Sequence, residues 1–135
     1  MEKYAYMMES TVPEEYRKIA ENLPKISEEK EKLIEGIISI QVSWREEMAG
    51  EYPQLSGQAR IVHTAEDTAE DISFETYLRG ELKTYSMETL VRYGQLVAAY
   101  AGNGKNMVEE IIARTVRLYG YSDMRQAENA VERQE

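Results

Sequence analysis

The chain has 135 residues and a formal net charge of −9, and its residues are 42% hydrophobic and 30% charged. This length and balance predict one globular domain with one core and exclude a disordered chain. The acidic excess repels a phosphate backbone and so disfavours nucleic acid as a partner.

Cysteine is absent, which rules out disulfides and thiolate metal sites and favours a reducing, cytoplasmic location. No apolar run approaches the roughly 20 residues that a membrane-spanning helix needs. We therefore expect a soluble protein without a membrane partner.

Apolar residues recur at helical spacing along most of the chain, and strand-like alternation is almost absent. A first short helix is expected over residues 2–9, and a second follows a capping box at Thr11–Glu14 and ends before Pro24. The longest helix is expected over residues 27–49, and its apolar residues spread over a wide sector. Such a helix is usually the central one.

The helical pattern lapses between Tyr52 and Asp71, which predicts one long loop. Beyond it, the sequence predicts helices that begin after Ser73, Ser86, Asn106 and Ser122. The last helix is polar and is expected to fray from residue 128 onwards. The prediction is an all-α bundle of about six or seven helices with one long loop, forming a single domain over residues 1–135.

The loop holds the first group of candidate site residues. Arg60, His63 and Asp67 place a guanidinium, an imidazole and a carboxylate within a short span, and long loops in compact domains are often functional. These groups fit a small polar ligand. The alternative is that Arg60 and His63 only tie the loop to the helices.

Glu81 is the second anomaly, because it lies on the apolar stripe of its predicted helix. A carboxylate there needs a partner or a cavity. We expect Glu81 to face a polar pocket closed by the loop, with Arg60 or Arg79 as its partner. The alternatives are a side chain that reaches solvent near the end of its helix and a buried ion pair with a purely structural role. The candidate ligand-binding residues are thus Arg60, His63, Asp67, Arg79 and Glu81.

Catalytic motifs are missing from the sequence, including the nucleophile elbow, the phosphate loop and the metalloprotease HExxH pattern. The only histidine is His63, and the paired acids lack an accompanying Glu-x-x-His arrangement. We therefore expect no metal and no cofactor.

Several word-like segments of the chain resemble one bacterial family, the domain-of-unknown-function family 4125. They are EKYAYMMEST at residues 2–11, PEEY at 13–16, SFETYLRGEL at 73–82, TYS at 84–86 and TVRLYGY at 115–121. The resemblance covers nearly the whole chain but implies no activity. It implies that family members are longer and begin with a diverged first copy of this helical unit, so that this chain resembles the C-terminal part.

Loss of such a first copy is expected to leave apolar surface that an identical chain covers, so the sequence favours a two-fold homodimer. The leading hypothesis for function is a noncatalytic interaction or ligand-sensing module. The alternative is a small-molecule enzyme, or half of one, with a polar pocket around Arg60, His63 and Glu81.

Overall fold

The computed structural model describes residues 2–57 and 60–134, and the regular structure in them is helical. Its α-helices are α1 (Glu2–Thr11), α2 (Pro13–Ile19), α3 (Glu28–Glu51), α4 (Pro53–Gly57), α5 (Phe74–Lys83), α6 (Met87–Gly102), α7 (Met107–Leu118) and α8 (Met124–Gln134). Short 3-10 turns lie at Ala20–Asn22 and Thr64–Glu66. The all-α prediction is confirmed, with one helix more than expected because α4 lies inside the predicted loop. Gln58 and Ala59, two residues of that loop, lie outside the described residues.

Polar side chains cap the helices where the sequence predicted them. Four side chains accept the amide of the residue three positions later: Ser27 from Lys30, Ser73 from Thr76, Ser86 from Thr89 and Asn106 from Glu109. Each cap satisfies one amide that has no partner within its helix.

The capping box predicted at Thr11 is wrong. Thr11 is the last residue of α1, and its hydroxyl donates to the carbonyl of Met7. Helix α2 begins instead with Pro13 after Val12, which offers no side-chain cap. Proline suits this position because the amide that it lacks would have no helical partner there.

The core is one cluster of buried side chains from five helices, centred on α3. Its members are Ile34, Ile37, Ile38, Trp44 and Met48 of α3, Leu78 and Leu82 of α5, Leu90 and Val97 of α6, Met107, Val108 and Val116 of α7, and Met124 and Ala127 of α8. Helix α3 packs against α4, α5, α6 and α7, so its predicted central place is confirmed. In the described residues no helix is both long and apolar enough to span a membrane.

Helix α8 is anchored more firmly than its polar sequence suggested. Glu128 is 4% exposed, and its carboxylate accepts the amides of Gln54 at 2.9 Å and Leu55 at 2.8 Å. These amides lie in the first turn of α4, so a glutamate from α8 caps α4. The prediction that the chain frays from Glu128 is wrong for this residue and for buried Val131.

Candidate functional site

Asp67 is the common acceptor of a hydrogen-bond cluster between α1 and α5. Its Oδ1 accepts the amide of Ser73 at 2.8 Å, and its Oδ2 accepts the hydroxyl of Ser10 at 2.5 Å and that of Thr76. Burial raises the pKa of the Asp67 carboxyl, but these hydrogen bonds outweigh it and leave the pKa below its ordinary value. The ionised Asp67 side chain therefore links α1 to α5 by hydrogen bonds.

The hydroxyls of this cluster form a chain with one direction. Arg79 Nη1 donates to the Thr64 hydroxyl at 3.1 Å, and the hydroxyl oxygens of Thr64 and Thr76 are 2.7 Å apart. Arginine can only donate and an ionised carboxylate can only accept. The protons must therefore point from Arg79 through Thr64 and Thr76 to Asp67. We call Ser10, Thr64, Asp67, Ser73, Thr76 and Arg79 the Asp67 network.

Arg79 forms ion pairs with two carboxylates at the edge of the network. Its Nε and Nη2 each lie 2.8 Å from an oxygen of Glu35, and its Nη2 lies 2.7 Å from Glu75. Hydrogen bonding to Glu35 raises the pKa of Arg79 above its ordinary value, burial opposes this rise, and Glu75 adds to it. The predicted pairing of Arg79 with Glu81 is wrong, because Glu35 and Glu75 occupy its guanidinium.

Glu81 and Arg60 lie near the Tyr77 face of α5, where each has a different neighbour. Arg60 donates to the carbonyl of Ile72 at 3.0 Å, and its guanidinium lies 4.9 Å from the Tyr77 ring centre. Burial raises the pKa of Tyr85, and the charge of Glu81 with a hydrogen bond between the two side chains adds to this rise. The predicted Arg60–Glu81 ion pair is therefore also wrong.

His63 lies beside the Asp67 network and pairs with an acid of α3. Its Nε2 is 3.2 Å from Glu46 Oε1, and both side chains are about half exposed. Of the five predicted site residues, the structure joins Asp67 and Arg79 in one network, puts His63 next to it and separates Arg60 and Glu81 from it. Within the described residues no three His, Asp or Glu side chains group as metal ligands.

Two surface clefts lie near Arg79, and most of the polar groups that line them have partners within the chain. One cleft, of about 330 Å³, is lined by Tyr6, Glu9, Ser10, Thr64, Thr76, Arg79 and Gly80. The other, of about 380 Å³, is lined by Glu35, Ile38, Ser39, Val42, Ser43, Glu46 and Glu75. The arrangement braces α1, α3 and α5 against one another.

Sequence reasoning missed the partners that make this brace. Ser10, Thr64 and Glu35 carry no local signal, because each contacts residues that are distant in the sequence or lie on another helix. Glu75 and Thr76 have local partners in Arg79 and Ser73, but their contacts with Thr64 have no local signal. Asp67 was identified for its chemistry, but its partner Ser10 is 57 residues away. No spacing rule connects two such positions.

Another side of α3 carries an apolar groove between α3 and α6. The groove has a volume of about 380 Å³ and is lined by Lys32, Leu33, Gly36, Ile37, Ile40, Val91, Gly94, Gln95, Val97 and Ala98. Helix α6 is apolar in sequence, yet only Leu90 and Val97 are buried on it, while Val91 is 39% and Leu96 is 49% exposed. Of these exposed residues, Val91 lines the groove beside the central helix.

Gly36 lies in the floor of the groove, in the interior of α3. A Cβ added there would meet no atom within 4 Å, whereas one added at Gly94 would touch Leu33 and Ile37 at 3.4 Å. Packing inside the chain therefore explains Gly94 but gives no reason for Gly36.

Comparison with protein families finds one matching family model. The model described as "Protein of unknown function (DUF4125)" matches residues 1–129. No curated protein matches the chain, and no solved structure does.

Proposed function

Since the chain belongs to the DUF4125 family, whose function is unknown, we propose from its surfaces that it is a noncatalytic interaction module. In this proposal two copies of the chain associate through the groove between α3 and α6. The observation that carries the proposal is Gly36, an exposed glycine in the middle of the longest helix, at the floor of an apolar groove.

A glycine in a helix interior costs about 1 kcal/mol relative to alanine. Such a residue is expected where another backbone approaches closely, and no atom of the described chain does so at Gly36. A second helix packed at this position would explain why glycine occurs there. Close approach of two helices at a small residue is a common packing solution.

A second copy fits this groove because Leu33 and Ile40 can project from each copy while Gly36 between them leaves a recess. Leu33 and Ile40 lie one turn before and one turn after Gly36 on the same side of α3. A two-fold axis at Gly36 sets Leu33 of one copy against Ile40 of the other, and the reverse. This reciprocity is what an isologous interface requires.

The charge distribution also permits two copies to meet here despite the net charge of −9. Lys32 is the one charged residue among the described residues that line the groove, and its Nζ lies 3.8 Å from Glu28 Oε1. The acidic excess is therefore carried elsewhere. Interface cores are typically depleted of charged residues in this way.

The noncatalytic part of the proposal is supported by the state of the polar residues. Asp67 and Arg79 bind residues of the chain itself by hydrogen bonds and ion pairs, and Arg60, His63 and Glu81 each contact a different partner. The alternative, a small-molecule enzyme around Arg60, His63 and Glu81, needs these three to converge. The lack of cysteine supports a cytoplasmic location for the module.

The decisive experiment compares two glycine substitutions on α3. Gly36→Leu adds a side chain in the proposed interface, while Gly50→Leu adds the same side chain at an exposed position of α3 that also has open space around it. Sedimentation velocity at tens of micromolar is expected to show a dimer for the parent chain and for Gly50→Leu, and a monomer for Gly36→Leu. Circular dichroism checks that helix content is unchanged.

A parent chain that sediments as a monomer would contradict the proposal. Equal dissociation of the two variants would also contradict it, because the interface would then lie elsewhere or depend only on the flexibility of α3.

A further inference from the structure

Two arginines outside the Asp67 network stack on neighbouring aromatic rings of α5. The guanidinium carbon of Arg45, from α3, lies 4.5 Å from the Phe74 ring centre. That of Arg60, from the loop before α5, lies 4.9 Å from the Tyr77 ring centre. Phe74 and Tyr77 are three residues apart in one helix, so both rings are on the same side of α5.

Among the described residues Arg45 has no partner of opposite charge, although acidic residues outnumber basic ones by 25 to 16 in the sequence. It is partly buried, its buried Nε has no hydrogen-bond partner, and the described residues offer its terminal amino groups no hydrogen bond or ion pair. Burial lowers the pKa of Arg45, and the neighbouring positive charge of Arg60 lowers it further. The chain therefore keeps a desolvated positive charge beside a second one.

A third cation lies on the same aromatic cluster. Lys3 Nζ is 4.4 Å from the Tyr77 ring centre and donates to the Tyr77 hydroxyl at 2.8 Å. Rings that stack on guanidinium planes hold them fixed and leave the N–H edges free to bind. Glu81 is the acid whose charge acts on Lys3, and an added anion would relieve the repulsion between Arg45 and Arg60.

We propose that Arg45 and Arg60 form a clamp for a phosphate group, with Phe74 and Tyr77 as the supports that orient the two guanidiniums. Guanidinium edges match phosphate oxygens in geometry and bind them through paired, charge-assisted hydrogen bonds. A phosphate dianion neutralises both arginines, whereas a simple carboxylate neutralises only one. Arg79 does not take part in this site, since it is occupied by Glu35 and Glu75.

The test is isothermal titration calorimetry of the full chain with inorganic phosphate at constant ionic strength. Arg60→Gln is the principal variant because Arg60 is exposed and its loss leaves the core intact. Arg117→Gln is the matched control, since Arg117 is also exposed, lies on α7 and gives the same change in net charge. Arg45→Gln is the second variant, with circular dichroism to confirm its fold.

Saturable phosphate binding is expected for the parent chain and for Arg117→Gln, with affinity at least about tenfold weaker in Arg60→Gln and in Arg45→Gln. Acetate, a monoanion, is expected to bind at least about tenfold more weakly than phosphate to the parent chain. Methyl phosphate distinguishes the source: affinity equal to that of inorganic phosphate assigns the clamp to phosphate esters, and much weaker binding assigns it to free phosphate.

The proposal is overturned if the parent chain shows no saturable heat with phosphate. It is also overturned if Arg117→Gln loses as much affinity as Arg60→Gln, because binding would then follow net charge alone.

Discussion

The two sides of the central helix α3 differ in how completely the chain covers them. On the α1–α5 side, polar residues from a loop and two helices are joined in the Asp67 network, Arg79 links it to Glu35 of α3, and the backbones of α1 and α5 approach closely. On the α6 side, a regular helix leaves apolar residues exposed beside an open glycine. The irregular, polar region thus acts as structure, while the regular, apolar region offers the free surface.

This contrast reverses the usual assignment of loops to function and helix stripes to the core. The difference arises because polarity does not show whether a group already has a partner. Two substitutions and one pH series test whether the two sides of α3 differ in this way.

Asp67→Ala is expected to have the largest effect. It removes the acceptor of Ser10, Ser73 and Thr76 and leaves their donors unsatisfied between two helices. The free energy of unfolding is expected to fall by roughly 3–5 kcal/mol in urea titrations followed by circular dichroism. Asp71→Ala, at a nearby exposed acid, is the control and is expected to change stability by less than about 0.5 kcal/mol. Equal losses in both variants would show that the network contributes no stability.

Gly80→Ala tests the close contact between α1 and α5. An added Cβ would lie 2.8 Å from the Lys3 carbonyl oxygen and 2.9 Å from Met7 Cγ, and a backbone oxygen cannot move aside. Destabilisation by about 1–3 kcal/mol is expected in thermal or urea unfolding. The matched change Gly36→Ala has the opposite sign in the monomer, because the open site gains helix propensity of roughly 0.5–1 kcal/mol. Two changes of the same sign would remove the proposed difference between the sides.

The acid dependence of stability gives the smallest effect. Burial acts to raise the pKa of Asp67, but its hydrogen bonds hold the folded-state pKa below the ordinary value of 3.8. The stabilisation is therefore complete above that value and is lost as the pH falls through the folded-state pKa. Unfolding free energies measured between about pH 5 and pH 2 are expected to fall less steeply for Asp67→Asn than for the parent chain. Parallel slopes would contradict the role of Asp67 as the ionised acceptor.

The sequence predicted the helices well because their caps and stops are local. Ser27, Ser73, Ser86 and Asn106 each bond an amide three residues away, and Gly104 and Gly120 adopt the positive φ that ends a helix. At the end of the chain the cap was misplaced by one residue. Asp123, not Ser122, accepts the Gln126 amide at 2.8 Å.

The candidate site was predicted only in part because its contacts cross between helices. Glu35, on the solvated side of α3, carries no sign that it receives Arg79 from α5. Arg45 likewise looks like one more charged residue on a long helix, and only the fold places Phe74 against it. The same limit applies to Glu128, whose role as a cap depends on α4, which the sequence did not predict.

The long separations within the Asp67 network have a consequence for the order in which the protein folds. Ser10 and Asp67 are 57 residues apart, and Lys3 and Tyr77 are 74 apart, so α1 joins α5 only by closing long loops. Contacts between distant residues form late, because closing the loop between them costs chain entropy before the contact contributes any stabilising energy. Helix α1 is therefore expected to dock after α3 and its neighbours have collapsed. A folding intermediate that lacks α1 would expose the Gly80 surface of α5 to the solvent.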